Sequence, residues 1–232
     1  MTGTPAATSG RGQDIGQAPG RLAAVQAFVN TLDLEQATDE IGSPSALDAW
    51  LRTAHLTGTG GRASGAGELA LAVELREALR GVLRSHVTHG PAAGRRVANV
   101  ASPAAQRPPA ARLTEIGSAL QARISADADG SVRIISGDSG ARAALAELLL
   151  IAAEAHTLGT WSRLKVCSAD DCQWAFYDRS PTRSGSWCSM QICGSRAKSR
   201  AYRSRAAAAV QAATAGQPTT ASRSARTEAR GA

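Results

Sequence analysis

Four cysteines within 27 residues constrain this chain more than any other feature of its sequence. They read Cys167-x4-Cys172-x15-Cys188-x4-Cys193, two short pairs separated by a hairpin-length connection. Such a set forms two disulfides, a metal site, or neither. Disulfides want an oxidising compartment, and the N-terminus, MTGTPAATSGRGQDIGQAPG, has no apolar h-region of an export signal. The expected address is therefore the cytoplasm. Tetrahedral Zn²⁺ does want two short ligand pairs. The x4 spacing is looser than the commoner x2 knuckle, so spacing alone favours zinc without deciding for it.

Aromatic and basic residues gather in the same stretch. Trp161, Trp174, Phe176, Tyr177, Trp187 and Tyr202 are six of the eight aromatics. Residues 163–205 hold nine basic residues against three acids, whereas residues 1–162 hold 14 arginines against 15 acids. The net charge of +7 is thus carried by the C-terminal part, which points to a polyanion partner for that part alone. Only Lys165 and Lys198 are lysines.

Ahead of this module lies an alanine-rich region. Alanine numbers 49, against 37 for Leu, Ile and Val together, which favours helices over β-sandwiches or barrels. From Arg21, Leu22, Val25, Phe28, Val29 and Leu32 recur at helical spacing. Ser43-Pro44 reads as an N-cap followed by proline at the first helical position, opening a helix that presents Leu47, Trp50 and Leu51. Residues 57–67, with five glycines, read as a loop. Over 67–87, Leu69, Val73, Leu79, Val82, Leu83 and His86 form one side, with Glu68, Arg76, Glu77, Arg80 and Arg84 elsewhere. Pro91, Pro103, Pro108 and Pro109 interrupt the next stretch of chain. A short strand is expected around Val132 to Ile135, then a central helix from Asp138 to about Leu158, ended by Gly159. Another helix is expected after Gly194, stopped by Gly216 and Pro218.

Several functions find no support. No apolar run reaches the roughly 18 residues of a membrane span. His55, His86, His89 and His156 form no ligand motif, and His86 with His89 is expected to be an exposed pair. Gly58 to Gly61 lacks the G-K-[ST] of a phosphate-binding loop, and no nucleophile–base pair stands out. No enzyme is expected.

The segment WSRLKVCSADDCQWAFYDRSPTRSGSWCSMQICGSRAKSRAYRSR, residues 161–205, resembles the CGNR zinc finger. The resemblance rests on Cys167, Cys172, Trp174, Phe176, Asp178, Ser180, Trp187, Cys188, Ser189, Met190, Cys193, Gly194, Arg196 and Lys198. In that family the module follows an alanine-rich helical domain named ABATE. AFVNTLD (27–33) and the helix around Trp50-Leu51 are similar to the start of that domain. Ser195 stands where the family writes Asn, and Ser180 to Ser186 has fewer arginines than the family loop. The resemblance implies a zinc-binding, DNA-binding bacterial protein, a stress-induced transcriptional regulator.

The expected fold is mainly α: a helical N-terminal domain, then a small zinc finger made of a short hairpin and a basic C-terminal helix. Its expected parts are a disordered 1–20, an ABATE-like domain 21–160, a CGNR-type finger with basic helix 161–214, and a disordered tail 215–232. Cys167, Cys172, Cys188 and Cys193 are the expected zinc ligands, and Trp174, Phe176 and Trp187 the module core. Arg183, Arg196, Lys198, Arg200, Arg203 and Arg205 are the expected nucleic-acid contacts; Arg196, Arg200 and Arg203 share one helix face. Arg196, three residues after a ligand, can reach sulfur as well as phosphate. DNA is the expected partner, with RNA or an acidic protein as alternatives, no membrane, and a signal or ligand left to the helical domain. Metal loss is expected to unfold the finger and leave 21–160 folded.

Overall fold

A computed structural model describes residues 16–56, 62–87, 107–126, 128–130 and 132–215. The first helix, α1 (Leu22–Val29), leads into a minimal hairpin of β1 (Leu32–Asp33) and β2 (Thr38–Asp39). Ser43 then caps α2 (Pro44–Thr53) as its position suggests, its Oγ accepting from Ala46 N at 3.2 Å. At the start of α3 (Ala66–Ser85), Glu68 reaches back to accept from Gly65 N at 2.8 Å, in the manner of a capping box. Pro109 opens α4 (Pro109–Ala119), a helix the prolines had hidden: at the first helical position proline starts a helix rather than breaking it.

Strands β3 (Ala122–Ala126) and β4 (Val132–Ser136) pair antiparallel, Ile124 opposite Ile134. They lead to α5 (Gly140–Thr157), after which Gly159 at φ +70 turns the chain. Ala144, Leu145, Leu148 and Ile151 of α5 are buried and share one core with α1, α2 and α3. The alanine-rich composition lets these elements approach closely. Gly81 goes further: a Cβ there would lie 2.6 Å from Pro109 of α4.

The buried face of α3 is not the one its pattern suggests. Ala72, Leu75, Ala78, Leu79 and Leu83 are buried, whereas Val73 and Val82 are only partly so. Arg76 and Arg80, expected off the apolar side, are buried at 2% and 4% exposure. Arg76 grips Asp39 with both terminal nitrogens, at 2.7 and 2.9 Å, and reaches Thr31 Oγ1 at 3.0 Å. Arg80 donates to Val29 O, one of the open carbonyls ending α1, at 2.7 Å. Hydropathy scores an arginine as polar and cannot see partners 37 and 51 residues away.

Residues 16–20, expected to belong to a disordered leader, are tied down. Gly16 O accepts from Tyr177 N at 2.8 Å, Ala18 is buried, and Ala18 N donates to Gln26 Oε1 at 2.7 Å. Residues 1–15, residues 57–61 of the 57–67 loop, His89 and the tail from 216 lie outside the described residues. His86 is no exposed group. Its Nδ1 donates to Leu164 O at 2.8 Å and its ring meets Trp161 edge-on at 5.5 Å.

A 3-10 turn, Trp161–Arg163, carries the chain into the antiparallel hairpin of β5 (Leu164–Val166) and β6 (Ala175–Tyr177). A π-helical turn, Met190–Gly194, then leads into α6 (Ser195–Ala215), whose residues from Lys198 to Gln211 are all exposed. The mainly helical fold, with a small hairpin and a C-terminal basic helix, is as expected. Among the described residues no helix is long and apolar enough to cross a membrane.

Candidate metal centre

The hairpin brings the cysteines together. Cys167 N donates to Trp174 O at 2.9 Å, extending the β5–β6 ladder by one rung. The intervening turn closes through Cys172 N to Ala169 O at 3.0 Å, with Gln173 at φ +50 reversing the chain. Ser168 N donates to Ser186 O at 2.9 Å, laying the second arm beside the first. Ser189 caps the π-helical turn, its Oγ accepting from Ile192 N at 3.3 Å, and that turn folds Cys193 back onto Cys188. A Cβ at Gly194 would sit 2.9 Å from Sδ of the exposed Met190, whose flexible side chain would have to shift.

All four Sγ atoms lie within 4.8 Å of one another. Cys172–Cys188 and Cys188–Cys193 are 3.7 Å apart. Disulfide sulfurs lie about 2.05 Å apart, so these are four free thiols. Four sulfurs each about 2.3 Å from a central Zn²⁺ stand about 3.8 Å from each other in a regular tetrahedron. The donor set therefore fits a tetrahedral thiophilic cation. Electrostatics agree: the Cys172 thiol is pulled down by S–H donors from Cys167 and Cys188. Cys167 and Cys188 are pushed up by neighbouring thiols, and Cys193 by burial. Without a cation the cluster cannot hold four negative charges. Trp174, Phe176 and Trp187 pack against the sulfurs as the module's core.

The basic residues part company. Arg183 is exposed on the loop after β6 at φ +52. Arg196 turns to Glu35 in the β1–β2 connection, Nη1 to Oε1 3.0 Å, instead of hydrogen bonding to the sulfurs. Arg200 pairs with Asp171 at 3.4 Å. Lys198, Arg203 and Arg205 are exposed along α6.

Other residues carry weight that sequence patterns did not assign. Lys165 is 1% exposed in β5 and donates to Asp178 Oδ2 at 2.8 Å. Its signal was a lysine, one of two in an arginine-rich chain, set between the apolar Leu164 and Val166. Asn30 and Gln26 of the helical part bind the β6 backbone, and no local pattern marks them.

A helical domain joined to a four-thiol knuckle and a basic helix defines a zinc-finger type of protein. Residues 22–161 match the ABATE family model, whose description is "Putative stress-induced transcription regulator", and residues 163–206 match the CGNR zinc finger. The chain belongs to the ABATE family, with a CGNR zinc finger at its C-terminal side. No curated protein matches it. The two matched regions meet at the 3-10 turn, yet Leu164, Val166 and Ala175 lie in the same core as α5.

Proposed function

We propose that this chain is a zinc-dependent, DNA-binding transcriptional regulator of the bacterial cytoplasm. Cys167, Cys172, Cys188 and Cys193 hold Zn²⁺, whose part is structural: it closes the knuckle and sets the start of α6. A four-thiolate site leaves no open position for a water or substrate, which supports a binding protein rather than an enzyme.

The observation that carries the reading is α6 itself, 21 residues long and exposed from Lys198 to Gln211. An isolated helix is marginal in water, and this one carries Arg196, Lys198, Arg200, Arg203 and Arg205 with no acid interleaved. Laid along a duplex, these groups neutralise phosphates and release counterions. Such contacts position a protein without reading bases. Arg196 and Arg200 already meet carboxylates in the folded chain, which favours, as a second reading, an acidic protein surface as partner.

Salt-titrated binding to duplex DNA separates the two. The DNA reading requires log affinity to fall with log salt by about 0.9 per neutralised phosphate. Indifference to DNA at low salt, with retention on an acidic protein, selects the second reading.

A further inference from the structure

Lys165 is the one lysine or arginine among the largest fully buried side chains of the described residues. Its ammonium has three acceptors: Asp178 Oδ2 at 2.8 Å, Gly185 O at 3.3 Å, and Arg183 O. Asp178, 4% exposed, accepts in turn from Ser180 N at 2.9 Å and Gly185 N at 2.8 Å. Arg163 adds 3.0 Å bonds to Asp178 O and Ser180 O. Nearly every bond of this buried pair therefore ends on the backbone of a single loop, residues 179–186.

A buried ion pair is a poor source of net stability, and apolar replacements of such pairs are often neutral or better. Its use here is geometric. Both flanks of the loop are fastened, while residues 181–184 remain exposed. Gly185 has no room for a side chain, a Cβ lying 2.9 Å from the Asp178 carboxyl. At the apex Arg183 holds φ +52, a conformation disfavoured for every residue with a side chain. Strain of this kind persists where the surroundings over-determine it, as the bonds of Lys165 and Asp178 to this loop do here. The hydroxyls of Thr182 and Ser184 flank Arg183 on the same exposed stretch and are hydrogen-bonded to each other at 2.8 Å, which leaves one O–H free. A compact ammonium with three rotatable donors suits three convergent acceptors better than a planar guanidinium, which accounts for lysine at this position.

We propose that loop 179–186 is a second phosphate-binding element, with Arg183 and the one O–H left free by the Thr182–Ser184 hydrogen bond as its donors and Lys165 and Asp178 as its positioning residues. The proposal rests on the DNA reading of α6. It adds a loop contact to that of α6, with the loop's backbone set before DNA arrives.

The test uses the full-length zinc-loaded protein, a fluorescent duplex, a salt titration, and native mass spectrometry for zinc. Arg183→Ala is expected to weaken binding several-fold and lower the salt slope by about one. Arg183→Gly is expected to do the same while raising Tm by about 2–4 °C, since glycine relieves the strain. Lys165→Met/Asp178→Asn, with zinc retained, is expected to reproduce the slope change, and adding Arg183→Ala to it should cost nothing more. A purely structural pair would shift Tm and leave the slope alone. If the double variant fails to fold, the two Arg183 variants decide. Unchanged affinity and slope in both, beside a loss in Arg200→Ala/Arg203→Ala, overturns the loop and leaves α6 standing. Wild-type protein that ignores DNA at low salt overturns both.

Discussion

Asn30 clamps Ala175 at two points: its Oδ1 accepts from Ala175 N at 2.7 Å and its Nδ2 donates to Ala175 O at 3.0 Å. A side-chain amide following α1 thus pairs with β6 as a neighbouring strand would. Gln26 adds a bond to Ala175 O at 3.2 Å, and Gly16 accepts from Tyr177 N at 2.8 Å. The edge of the metal-binding hairpin is therefore covered by the helical domain.

Asn30→Ala is expected to destabilise the whole protein by about 1–3 kcal/mol, because Ala175 N loses its partner inside the core. Ala175 O keeps Gln26, which limits the loss. Urea unfolding followed by circular dichroism measures the stability. Chelator competition should show weaker zinc retention, and a variant as stable and zinc-tight as wild type would remove the clamp's significance.

Zinc removal should reach the helical domain. Binding of a structural zinc is worth roughly 10–16 kcal/mol of apparent free energy, and Leu164, Val166 and Ala175 of the hairpin share the core of α5. Against the separate folding expected from the sequence, this shared core predicts coupling. Cys188→Ser or chelation should lower the midpoint of helix unfolding, with helix and tryptophan signals moving together. A helical transition unmoved by metal loss would restore two independent units.

On the DNA reading, Glu35 would compete with phosphate for Arg196, which it holds at 3.0 Å. The pair is half-exposed, so it is weak, and Glu35→Gln is expected to tighten DNA binding a few-fold at low salt with zinc unaffected. Arg196→Ala should also leave zinc retention nearly unchanged, since its guanidinium is engaged by Glu35. Zinc loss in Arg196→Ala, read by chelator competition, would return this residue to the metal site.

His86 makes stability depend on pH near neutrality. Burial, with Lys165 and His156 nearby, holds its pKa below the usual histidine value despite the Leu164 bond. The folded state therefore prefers the neutral ring, with Nδ1 carrying the proton. Its contribution is complete above about pH 6.5, the unfolded value, and is lost as pH falls from there through the lower folded value. Denaturation at pH 7.5 and 5.5 should show wild type losing more stability than His86→Gln, whose amide can still donate to Leu164 O. Equal losses would mean that another group titrates.

Spacing and capping were legible along the chain because they act locally. Ser43 ahead of Pro44 started α2 where expected, Gly159 turned the chain after α5, and the four cysteines met as their two short pairs suggested. Two-residue strands β1 and β2 were not legible, since so short a ladder leaves no period to read. Pro109 misled because proline marks both a break and a beginning.

What the sequence determined by itself was the helical class, the central apolar helix, the cysteine set and the basic segment, each a property of neighbours within a few turns. Tertiary structure alone decided which charges are buried. Arg76 went to Asp39, Arg80 to Val29 O and Lys165 to Asp178. A charge leaves water only where acceptors converge on it, and those acceptors come from segments whose proximity exists only once the core has formed.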